Sequence, residues 1–132
     1  MITPISDSQK THQINWLVPN RVLQVVLSGV YTPENAALIN AGLMEVLDKT
    51  DQPLTVLFDC LTMQRPVNFE IIRQAQGFMH HPMLAQIYVA ATDRLVRFAM
   101  MVIFNSSVAR LRLFDSVSQA RMMVEALGIK RL

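Results

Sequence analysis

Hydrophobic segments of period 2 and period 3.6 alternate along this chain in the order β-β-α-β-α-β-α-β-α. That order predicts a single α/β domain built on a mixed sheet. Three observations carry the prediction. The first two strands are joined by a short Pro19-Asn20 turn, so they pair antiparallel. Each later strand follows a helical stretch, so the remaining strands enter by parallel crossovers. The strands also carry Gln13, Asn15, Gln24, Ser28, Thr55, Gln86, Tyr88, Arg110 and Arg112 at alternating positions. A parallel sheet covered on both faces reads as continuous apolar runs instead. The helices are therefore expected mostly on one face, leaving the other solvated or partner-facing.

The elements follow in order. His12 to Val18 places Ile14, Trp16 and Val18 on one side, and Arg21 to Ser28 places Leu23, Val25 and Leu27 together. Thr32 followed by Pro33 starts a helix that runs to about Lys49. Its inner stripe is Ala36, Ile39, Leu43, Val46 and Leu47. Leu54 to Asp59 is the third strand. Asn68 is expected to cap a second helix through about Met79, with Phe69, Ile71, Ile72, Ala75, Phe78 and Met79 inward. Ala85 to Thr92 is a strand of small residues, and Thr92 or Asp93 caps a third helix to about Ser106. Arg110 to Phe114 alternates strictly. Ser116 with Gln119 forms a capping box for a last helix that Gly128 is expected to end.

The chain has 132 residues, enough for one domain with a real core. Residues 1–11 read as a flexible arm and 12–132 as the domain. The apolar fraction is 52% and the charged fraction only 17%, which leaves apolar surface to be covered by a partner or a ligand. Cys60 is the single cysteine, so no internal disulfide forms. The polar start predicts no signal peptide, and no apolar run reaches the roughly 17–25 residues of a membrane span. A cytoplasmic protein is expected. From Arg94 onward seven basic residues face Asp115 and Glu125, a balance of +5 against −3 for the rest. We read this as a solvated arginine-rich surface, with no nucleic acid partner expected.

The segment VLFDCLTMQRP, residues 56–66, brings Asp59 and Cys60 to the end of a strand. Beside a carboxylate the thiol is a poor nucleophile, so Cys60 is expected to be a quiet core residue. Asp59 is expected to tie down the following loop through backbone N–H groups, with the loop to Pro66 as a binding lip. The third helix, RLVRFAMMVIF, is apolar around most of its circumference, broken only by Arg94 and Arg97. A surface helix needs a stripe only a little over ~100° wide. The surplus predicts contact with a partner subunit, an apolar ligand, or a membrane surface with the two arginines at the headgroups. His80-His81 does not form one metal-binding face, because adjacent side chains diverge. The four glycines are too dispersed for a phosphate loop.

In element order, in the strand ending VLFD and in the tail RLRLFDSVSQARMMVEAL, the chain resembles the STAS-type, SpoIIAA-like domains of anti-sigma-factor antagonists, a group related to CRAL-TRIO domains. The resemblance implies a SpoIIAA-like βα superhelix. It also implies an acid at the end of the third strand, matched by Asp59, and an Asp-Ser phosphoacceptor pair at the next helix. That pair falls on Val67 and Asn68, and no serine lies between Ser28 and Ser106. Thr62, the nearest hydroxyl, sits in the loop and is not expected to be phosphorylated. The expectation is thus a non-enzymatic interaction or regulatory module, homodimeric, without metal or cofactor. The alternative is a carrier or sensor of a small apolar or lipid-like ligand. Asp59, Thr62, Arg94, Arg97, Phe98 and Met101 are the candidate binding residues.

Overall fold

A computed structural model describes residues 12–131. Its elements are β1 (His12–Val18), β2 (Val22–Gly29), α1 (Pro33–Lys49), β3 (Leu54–Met63), α2 (Phe69–Ala75), β4 (Leu84–Ala90), α3 (Arg94–Phe104), β5 (Arg110–Phe114) and α4 (Val117–Arg131). The 1–11 arm lies outside the described residues.

Local chemistry explains the joints. Arg21 N–H donates to Val18 O across Pro19 and Asn20, and Asn20 has φ 64. Proline followed by a left-handed residue suits a type II turn. Thr32 Oγ1 accepts from Asn35 N–H with Pro33 opening α1. Asp93, rather than Thr92, caps α3 by accepting from the N–H groups of Leu95 and Val96. Ser116 accepts from Gln119 N–H, while Gln119 Oε1 reaches back one residue further than a standard box, to Asp115 N–H.

The five strands lie in the order β1-β2-β3-β4-β5, with β1 antiparallel to β2 and all later pairs parallel. Each crossover steps the same way across the sheet. With a common handedness, steps in one direction put every crossover helix on the same face. α1, α2 and α3 accordingly cover one face, where Leu23, Val25, Leu27, Val56, Phe58, Ile87 and Val89 form the main core with Leu43, Ile72, Met100 and Phe104. The Phe58 ring lies 4.9 Å from Phe104 and 5.8 Å from Phe78. α4 follows the last strand and crosses to nothing, so this constraint does not reach it. It packs on the opposite face, where Ala120 and Val124 cover Val22, Leu57, Tyr88 and Ala90.

Several expectations need correction. The second helix does not reach Met79. It ends at Ala75, and Gly77–His80 is a 3₁₀ turn. The cause is Gln76, whose buried side chain accepts from Tyr31 Oη at 2.5 Å, while Phe78 N–H turns aside to Asn40 Oδ1. Asn68 makes no side-chain cap bond, and Ile71 faces solvent. The third strand continues past Asp59 to Met63, because Thr62 and Met63 pair with Ser28 and Gly29 across a bulge. Thr62 is therefore on a strand, not in a loop. Trp16 and Val18 do not share a side, since the register shifts between them and Val18 joins the smaller cluster. Gly128 does not end the last helix, which runs on to Arg131. One interior glycine costs only about 1 kcal/mol relative to alanine. Tyr88, counted on the polar face, is fully buried there beneath α4.

Candidate binding site

The site grows from the way β3 hands the chain to α2. Gln64 N–H donates to Gly29 O, which holds the strand's exit against the end of β2. Gly29 has φ 70, in the left-handed region that glycine enters without a side-chain penalty. Pro66 is buried, so the next residue is thrown outward, and Val67 is 72% exposed. Opposite, α3 buries Val96, Ala99, Met100, Ile103 and Phe104. Its other face presents Leu95, Phe98 and Met101 at 54%, 61% and 45% exposure. Their spacing of three residues places them in a row along the helix. Between the two elements lies an open groove of about 360 Å³, lined by Arg65, Pro66, Val67, Phe69, Leu95 and Phe98.

The six candidate residues do not form one constellation. Phe98 lines the groove, Met101 continues its row, and Arg94 is exposed at the start of α3. Arg97 is turned away: its Nη1 donates to Ala91 O at 2.8 Å and to Asp115 Oδ1 at 2.9 Å, latching α3 to the ends of β4 and β5. Asp59 and Thr62 lie on the opposite face of the sheet. Asp59 Oδ1 accepts from Leu61 N–H, which lies at the bulge within β3 and not in the loop the carboxylate was expected to tie down, and Oδ2 accepts from Gln24 Nε2 at 3.4 Å. The Thr62 and Ser28 hydroxyls are 2.9 Å apart. Cys60 is buried, and its thiol is pushed well above the usual range by burial first and by Asp59 second. His81 holds Asp48 with Nε2 and accepts Met83 N–H on Nδ1. Among the described residues no group of three His, Cys, Asp or Glu could hold a metal ion. No helix among them is long and apolar enough to cross a membrane.

Sequence reasoning found the α3 half of the groove from surplus apolarity. It found the opposite wall only as a lip ending at Pro66. Val67 and Phe69 are ordinary apolar residues by type, and only the burial of Pro66 and the break in α2 show which way they point.

No family model matches the chain, and no curated protein matches it. Among solved structures, the chain is similar to an uncharacterised protein of the DUF3478 family with a SpoIIAA-like fold from Shewanella loihica PV-4. Identity is 15%, the match covers 85% of this chain and 90% of that one, and the TM-score is 0.63. The fold is therefore SpoIIAA-like, as the element order and the VLFD strand implied. Val67, one of the two positions on which the resemblance places a phosphoacceptor pair, lines the groove.

Proposed function

We propose that this protein is a non-enzymatic interaction module that associates with a second copy of itself through the α2–α3 groove. The observation that carries the reading is the row Leu95, Phe98 and Met101 facing solvent beside Val67. Exposed apolar groups grouped in this way mark a contact surface. A two-fold pairing needs a self-complementary patch. The groove supplies apolar surface for the centre, and its neighbours Arg65, Arg94 and Glu70 supply both charges for the rim. Aromatic anchors such as Phe98 carry much of the energy of such contacts.

Light scattering at tens of micromolar is expected to give the mass of a dimer. Phe98→Asp and Met101→Asp are expected to weaken association tenfold or more without loss of thermal stability, because both side chains are exposed. Cys60→Ala, at a buried position that does not line the groove, is expected to leave association intact. A strict monomer, or a dimer indifferent to both aspartates, overturns the reading.

The groove volume supports a second reading, a small apolar or lipid-like ligand. At about 360 Å³ it falls within the ~300–1,000 Å³ of ligand sites. Its open side favours a protein partner, since small-molecule sites usually enclose most of the ligand. Native mass spectrometry of gently purified protein separates the two: a retained mass favours the ligand, and a bare chain in several preparations removes it.

A further inference from the structure

On the opposite face of the sheet, beneath α4, lies a cavity of about 150 Å³ at the N-terminal ends of the parallel strands. Arg21, Thr55, Gln86, Tyr88 and Val124 are among its lining residues. The Tyr88 ring packs on Phe114 at 4.9 Å and the whole residue is 0% exposed. Among the described residues its hydroxyl has no hydrogen-bond partner. A buried hydroxyl without a partner is costly, and native folds rarely tolerate one without use.

The charge around this hydroxyl is one-sided. Register places Arg112 beside Tyr88 and Arg110 beside Gln86 on the neighbouring strand β5. Both arginines act on the phenol, lowering its pKa against the larger upward effect of burial. Among the described residues no aspartate or glutamate lines the cavity. Among the described residues, Arg21 and Arg110 have no ion pair, and the side-chain bond of Arg112 goes to Met123 Sδ at 3.7 Å. Two guanidinium groups acting on a donor without an acceptor, and a third lining the same cavity, define a site short of negative charge.

We propose that this cavity binds a small oxyanion, a carboxylate or phosphate group, with the Tyr88 hydroxyl and Arg21 as donors and Arg110 and Arg112 supplying the field. The site goes beyond the groove reading and lies on the other side of the sheet from it.

The test is titration of the ¹⁵N-labelled full chain with inorganic phosphate and, separately, with acetate. Ionic strength is held constant with chloride, and the amide signals of Thr55 and Gln86 are followed. Saturable shifts with at least one of the two anions are expected, and the anion that saturates at lower concentration identifies the preferred group. Tyr88→Phe and Arg21→Gln are each expected to weaken binding roughly tenfold, the size of one hydrogen bond to a charged group. Without ligand, Tyr88→Phe should be as stable as the parent, because it removes an unpaired hydroxyl. Phe98→Asp should leave the titration unchanged, so failure of the groove reading and failure of this one are distinguishable. Shifts that never saturate, binding that Tyr88→Phe does not weaken, or a Tyr88→Phe protein that is clearly destabilised would each overturn the proposal.

Discussion

Tyr31 and Gln76 show how one buried polar pair redirects a backbone. Tyr31 lies just ahead of α1 and Gln76 just past α2, and both are buried. The phenol donates to the amide oxygen, and the amide nitrogen turns to Met79 Sδ at 3.5 Å. Holding Gln76 inward costs α2 its last turns, because an unbroken helix would carry that side chain elsewhere. Tyr31→Phe would leave the Gln76 oxygen buried without this donor, and a loss of about 1–3 kcal/mol in urea unfolding is expected. A change below ~0.5 kcal/mol would show that the bond has no such role. Neither residue stood out in the sequence. A tyrosine before a helix and a glutamine within one carry no pattern, and their pairing exists only once α1 and α2 are packed together. Asp59 and Cys60 are a mixed case. They lie inside β3 and not at its end, yet the thiol is buried and its proton held, as expected of a quiet core residue beside a carboxylate.

At the scale of elements, α3 is held at both ends by groups that never touch the groove. Asp93 accepts two N–H groups at its start, and Arg97 clamps it to Ala91 and Asp115. Asp93→Ala is expected to cost about 0.5–2 kcal/mol, as for other N-caps. Melting should be lowered while the exposed row remains able to associate; unchanged melting would remove the cap from this account. Elements with strong local signals were legible in the sequence: the hairpin with its Pro-Asn turn, the Thr32-Pro33 helix start, and the capping box before α4. Those set by tertiary pairing were not. The extension of β3 depends on Ser28 and Gly29 across the bulge, 34 residues away in the case of Ser28 and Thr62. The face chosen by α4 was also hidden, since alternation in β4 marks Tyr88 as polar-sided without saying what lies above it.

The whole molecule carries a pH response of definite sign. Burial holds the Cys60 and Tyr31 protons in the fold, and burial likewise raises Tyr88. Unfolded, the thiol and phenols release their protons near their ordinary values of 9.0 and 10.0. The stabilising contribution is therefore fully present below those values and is lost as pH rises through them toward the raised values of the fold. Each group removes up to about 1.4 kcal/mol per pH unit in that range. Urea midpoints are expected to stay level from about pH 7 to 8.5 and then fall, with the first part of the fall reduced in Cys60→Ala. A level midpoint through about pH 11 would contradict the burial described here. The strand order has a further consequence, for assembly. Every strand pairs with the strand that precedes it in the chain, so no pairing waits for a distant segment to arrive. Each closure spans one crossover, and its entropic cost grows only slowly with loop length. A chain leaving the ribosome can add β3, β4 and β5 one after another to a sheet already begun, and α4 seals its second face last.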